Sequence, residues 1–218
     1  MDYTEHTTAL LLVDPYNDFI SEGGKVFDGV KQILAEENML EHMRQIIALA
    51  RKARIQLFIV PHHRAEPGDY AHWKYTTPRQ DYAHQIQAFG LDTWGGTFHP
   101  DFQPQAGDVV VKEHFGSSGF VSTDLDYQLK ERGLSKLILI GMLANTCIET
   151  TAKNGAELGY DITLVKDATG AFNRHEMDYA HKINGPTFAR SILTTAALLD
   201  KLTASAAAAA ALVTPQAL

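Results

Sequence analysis

The sequence holds one cysteine, Cys147, among 218 residues. A lone thiol makes no internal disulfide, so nothing calls for an oxidising compartment and a cytoplasmic setting is expected. Long apolar runs are missing too, and none reaches the ~18 residues of a membrane span. The N-terminal stretch "MDYTEHTTALLLVD" starts acidic and polar, whereas a secretory signal needs a basic start and a longer apolar core. Positive charge is short: 19 Lys and Arg stand against 26 Asp and Glu, a net −7. That balance argues against nucleic acid or an anionic membrane as partner. What is present is ordinary for a globular chain able to bury a core, with 45% hydrophobic and 21% charged residues.

Short apolar runs alternate with amphipathic stretches. Ala9–Val13, Gln56–Val60, Asp108–Lys112, Lys136–Ile140 and Asp161–Val165 read as strands. Helical spacing runs through Val30–Arg54, Asp124–Arg132, Cys147–Leu158, His175–Ile183 and Thr187–Leu202, with Thr123 as a cap and Gly159 past a C-terminus. Strand–helix alternation with unbroken apolar strands predicts an α/β fold, a mostly parallel sheet covered on both faces by helices. Residues 62–107, rich in His, Gly, Pro and aromatics, read as a loop-rich excursion. One domain over 1–202 is expected, then an Ala-rich tail, 203–218, frayed or disordered.

In an open α/β sheet, ligands bind beyond the carboxyl ends of the strands. Asp14, Lys112 and Cys147 follow three such ends. Thr146 and Glu149 match a capping box, which would set Cys147 in the first turn of a helix. There, near an ammonium, its thiol is expected to be acidified and nucleophilic. Each residue alone also has a structural explanation: a packed thiol, a turn-forming Asp-Pro, a solvated lysine.

The segments "ALLLVDPYNDF", "VVVKEHFGSSGF" with "TDLD", and "LILIGMLANTCIETTAKNGAELGYDITLVKDAT" together resemble the isochorismatase-like cysteine hydrolases. That resemblance implies a three-layer α/β/α sandwich on a six-stranded parallel sheet. It implies a triad of Asp14 as base, Lys112 as catalytic lysine and Cys147 as nucleophile. It also implies a cis peptide between Met142 and Leu143, and an oxyanion hole made by the N–H groups of Leu143 and Cys147. The activity implied is hydrolysis of an amide or ureide C–N bond of a small molecule through a thioester. A vinyl-ether hydrolase and a non-catalytic binding protein on the same fold are the alternatives. A homodimer or homotetramer is implied as well.

Two departures stand out. Many relatives have Thr where this chain has Ala144. Adjacent His62 and His63 point apart on an extended chain, so no metal or cofactor is expected. The pocket wall is expected from Phe19, His63, Tyr70, Trp73 and Tyr75, with Phe115, Ser117, Ser118 and Phe172.

Overall fold

The computed structural model describes residues 2–213. Six strands form one sheet in the order β3-β2-β1-β4-β5-β6. They are β1 (Thr8–Val13), β2 (Gln56–Val60), β3 (Val109–Val110), β4 (Lys136–Met142), β5 (Asp161–Gly170) and β6 (Ser191–Leu193), and every pairing is parallel. Strand order runs outward from β1 to β3 and, on the other side, from β4 to β6. The reversal falls between β1 and β4, where a crevice forms at the carboxyl ends.

The helices are α1 (Asn17–Ile20), α2 (Phe27–Glu36), α3 (Met39–Lys52), α4 (Pro78–Gln85), α5 (Leu125–Glu131), α6 (Glu149–Glu157), α7 (Arg174–Asp178) and α8 (Thr195–Val213). Both faces of the sheet are apolar because β1 is buried throughout and alternates its side chains. Leu10 and Leu12 pack with Val30, Met43 and Ile46 of α2 and α3. Ala9, Leu11 and Val13 pack with Leu125, Leu129 and Ala152 of α5 and α6. The result is the α/β/α sandwich with a six-stranded sheet that the sequence led us to expect. Among the described residues no helix is long and apolar enough to cross a membrane.

Several boundaries move. The helical stretch around Val30–Arg54 is two helices, broken at Asn38, whose φ of +48° is left-handed. Ser191–Leu193 is an edge strand rather than part of a helix; it pairs with Thr163–Val165 of β5. Pro186 opens no long helix and sits in a 3₁₀ turn, Gly185–Thr187. The Ala-rich tail continues α8 as far as Val213 instead of fraying at 203; residues 214–218 lie outside the described residues. The excursion is not all loop. Thr77 and Gln80 form a capping box that starts α4, with Pro78 in its first turn.

Candidate active site

Asp14 directly follows β1 and is fully buried. Its φ is +53°, a left-handed conformation that Asp tolerates better than most residues, and its N–H donates to the Val60 carbonyl. The chain thus turns at once beside the sheet crevice. Across the crevice, β4 passes close to β1. Gly141 has φ +116°, and a Cβ there would collide with the Val13 carbonyl oxygen, so only glycine fits. The Met142–Leu143 peptide that follows is cis.

Cys147 sits in a π-helical turn, Ala144–Ile148, ahead of α6. The expected capping box is absent: Thr146 caps no helix, and its hydroxyl contacts the Cys147 sulfur at 3.9 Å. Glu149 bonds Lys153 instead. The local pattern was right for a cap, but the wider turn carries the thiol past the sheet edge before the α-helix begins.

The expected lysine is elsewhere. Lys112 is exposed, and its N–H donates to Asp124 Oδ1 at 2.8 Å. The residue brought to the crevice is His114, fully buried, with Nε2 3.1 Å from Asp14 Oδ1. The physical reason lies in β3, an edge strand of two residues. The chain stays alongside β2 past its end: the His114 N–H donates to the Pro61 carbonyl, and its carbonyl accepts from the His63 N–H. The entry into the site is therefore two residues later than Lys112, the residue that follows the apolar run. The His114 ring bonds Gly116 O through Nδ1 at 2.7 Å and Asp14 through Nε2. The Gly116 carbonyl only accepts, so Nδ1 carries a proton; toward an Asp14 carboxylate Nε2 donates as well. Burial alone would lower the His114 pKa, but the Asp14 charge and hydrogen bond outweigh it and hold the pKa above the usual value.

Donor atoms of Asp14, His114 and Cys147 lie within 4.8 Å of one another, all buried. Three potential metal ligands therefore meet here, from three separate strand ends, which a search for local ligand spacing misses. Asp14 Oδ2 is buried and meets no nitrogen or oxygen donor among the described residues. The Cys147 thiol is not acidified as the sequence suggested. Burial, then the neighbouring Asp14 charge, push its pKa well above the usual thiol value, and the resting group is a neutral thiol. The Leu143 N–H points at its sulfur.

Cys147 lies in the wall of a small open cavity lined mainly by apolar groups including Phe19, Phe89, Leu143 and Phe172. His62 also lines it and was missed; burial lowers its pKa, so it is neutral. Its Nδ1 is 2.9 Å from His63 O and donates to it, leaving Nε2 as an acceptor. Arg79 and Tyr82 of α4 complete the wall. The Arg79 guanidinium lies 5.3 Å from the Phe172 ring, and it has no ion-pair partner among the described residues.

Other expected wall residues are elsewhere. His63 is tied to Asp69 at 2.8 Å and Glu113 at 3.3 Å and stacks on Phe115 at 4.0 Å. Tyr70 packs against Trp73 at 5.0 Å. These aromatics bury one another outside the cavity, and Trp73 and Tyr75 remain 49% and 78% exposed. Ser118 donates to Asn154 Oδ1, and Ser117 lines an outer groove beside Thr77 and Arg79. Two ties position the cavity wall. Asp18, read before only as part of a motif, accepts from the Phe89 N–H at 2.7 Å. Gln80 of α4 donates to Phe115 O at 3.0 Å, next to His114.

A family model described as the isochorismatase domain matches residues 8–196. A ureidoacrylate amidohydrolase, RutB, of Rhizobium rhizogenes is 28% identical over 173 residues, covering 74% of this chain and 70% of its own. RutB of Caulobacter segnis is 26% identical over 201 residues, covering 87% and 83%. A crystal structure of a cysteine hydrolase from Pseudomonas syringae pv. phaseolicola has the same fold, with TM-score 0.78, 22% identity and coverage of 94% and 96%. The N-carbamoylsarcosine amidase of Thermoplasma acidophilum follows at TM-score 0.63, 24% identity and coverage of 87% and 96%. With a family model spanning most of its length, the chain belongs to the isochorismatase family and is a hydrolase.

Proposed function

We propose that the protein hydrolyses the C–N bond of a small carboxamide or ureide, with Cys147 as nucleophile, Asp14 as proton carrier and His114 as the buried cation. The observation that carries this reading is the convergence of the three side chains at an apolar cavity. The curated relatives named as amidohydrolases support the same bond type.

Substrate occupies the cavity with its carbonyl carbon against the Cys147 sulfur. Asp14 takes the thiol proton as the sulfur attacks, so the thiolate exists only as it is used. The imidazolium of His114 keeps the crevice neutral before the transfer and stabilises the negative charge passing through it afterwards. The oxyanion is held by the N–H groups of Leu143 and Cys147. Asp14 returns the proton to the departing nitrogen, and ammonia or an amine leaves a thioester. Water then attacks the thioester, Asp14 taking its proton and giving one back to sulfur. The products are a carboxylic acid and the restored thiol. Neutral His62 accepts a hydrogen bond from the substrate N–H.

The cavity selects an apolar acyl portion. Arg79 at its wall favours a substrate with a negative group at its far end.

The test is ammonia release from a panel of apolar carboxamides and ureides, parent beside Cys147→Ala. Release by the parent alone supports the proposal. Equal release by both removes Cys147 as nucleophile. Retained turnover of a vinyl ether by Cys147→Ala would move the protein to ether chemistry.

A further inference from the structure

We infer that the Asp14–His114–Cys147 cluster is also a binding site for a thiophilic divalent cation of the zinc type, and that its occupation switches the enzyme off. The inference rests on the proposed role of these residues and adds a regulator of the same site.

The three residues offer a carboxylate oxygen, an imidazole nitrogen and a sulfur, ligand types that zinc accepts together. Tetrahedral zinc with bonds of about 2.0–2.3 Å sets its ligand atoms about 3.3–3.8 Å apart. The donor atoms here span at most 4.8 Å, so side-chain adjustments of about 1 Å close the shell around an ion. Three protein ligands leave a fourth position, on the side where Cys147 meets the cavity. Water enters it there, and the cavity is the route in.

Two independent observations point to a ligand. Asp14 Oδ2 is wholly buried and meets no nitrogen or oxygen donor among the described residues; the Cys147 thiol is the donor set against this carboxylate, a weak partner for a buried charge. His114 is also already held as a metal-binding histidine is: its Nδ1 donates to the Gly116 carbonyl at 2.7 Å, which fixes the ring and leaves Nε2 as the donor atom. A lysine in that place would have a charge but no lone pair to give.

Binding is a ligand exchange without change of oxidation state. The cation replaces the thiol proton on Cys147 and the Nε2 proton on His114, and both protons leave to solvent. The sulfur lone pair and the Asp14 oxygen are then engaged, so neither nucleophile nor base is available. Hydrolysis stops until the ion is removed.

The experiment titrates the full-length, metal-stripped protein with Co²⁺ alone and follows the thiolate-to-cobalt charge-transfer absorption. The expected result is a band saturating at one ion per chain, abolished by Zn²⁺ in competition and absent from Cys147→Ser. His114→Lys, which keeps the charge and removes the lone pair, should weaken binding by on the order of 100-fold or more, with circular dichroism confirming its fold. In parallel, Zn²⁺ should protect the thiol from iodoacetamide, and a chelator should restore alkylation. No charge-transfer band at millimolar Co²⁺ overturns the inference. So does a band of unchanged affinity in His114→Lys, which would put the ion elsewhere. None of these readouts needs a substrate. If cobalt binds as described while no amide is cleaved, the proposed C–N hydrolysis fails and the cation site stands. If amides are cleaved through Cys147 and Zn²⁺ neither inhibits nor protects, the cation site fails alone.

Discussion

Exchange of His114 for Gln keeps one hydrogen-bond donor near Asp14 and removes the positive charge. In the parent, Nε2 and Oδ1 are 3.1 Å apart and fully buried. At an effective dielectric constant of about 20, two unit charges at that separation attract by about 5 kcal/mol. This is an upper figure, since the crevice relaxes and water enters once the charge is gone. Retaining about 4 kcal/mol of it as lost stabilisation of the reacting state corresponds to a fall in kcat/KM on the order of 10³-fold. The variant also leaves a buried carboxylate uncompensated, which costs about 3–5 kcal/mol of stability when an ion-pair partner is removed. The assay is the pH profile of kcat/KM against one active amide, with thermal unfolding measured beside it. Lys112→Gln, at an exposed side chain outside the crevice, should stay within about twofold of the parent, as surface exchanges usually do. A Lys112→Gln loss of 10³-fold beside a His114→Gln loss under about tenfold would refute the placement of the buried cation.

Arg79→Ala should raise KM for substrates with a distal carboxylate by about 10- to 100-fold and leave neutral apolar amides nearly unchanged, read from paired kinetics. Gly141→Ala forces a side chain against the Val13 carbonyl at a left-handed φ; a loss of about 3 kcal/mol or more is expected in denaturant unfolding, with kcat falling as well. Glu113 would be raised by burial, but the His63 hydrogen bond and the Arg64 N–H and guanidinium pull its pKa down to about 2. A depressed carboxylate stabilises the fold above its unfolded pKa of about 4.3, and that share is lost as pH falls toward 2. With partial solvent screening, Glu113→Gln should remove about 1–2 kcal/mol at neutral pH and flatten this acid limb; an unchanged limb would refute the role of the cluster.

The central strands and the two residues nearest them were legible in the sequence. β1, β2 and β4 are largely apolar runs because both faces of the sheet are covered, β5 carries one only over residues 162–165, and Asp14 directly follows such a run. Cys147 is one short turn past another. His114 was not legible, because an edge strand has one neighbour and its hydrogen bonding outlasts its apolar residues. The Thr146 and Glu149 spacing is a true capping pattern that a π turn overrode. β6 is three half-buried residues, too few to show a period. α4 has no apolar stripe, and Gln80 is its one buried residue, so its capping signal stood alone. The aromatics Trp73 and Tyr75 invited assignment to the pocket by composition, while the cavity took its walls from Phe89 and Tyr82 through ties such as Asp18 to the Phe89 N–H.

The doubly donating ring of His114 has a consequence for how the crevice meets its guest. In the proposed mechanism the His114 cation offsets the Asp14 carboxylate while the thiol is neutral, so the resting floor of the cavity presents a dipole instead of a net charge. A neutral, oily molecule can settle on it and displace water without stripping a counter-ion. The cost of dehydrating the two charges falls on the folding of the chain and is not repeated at each turnover.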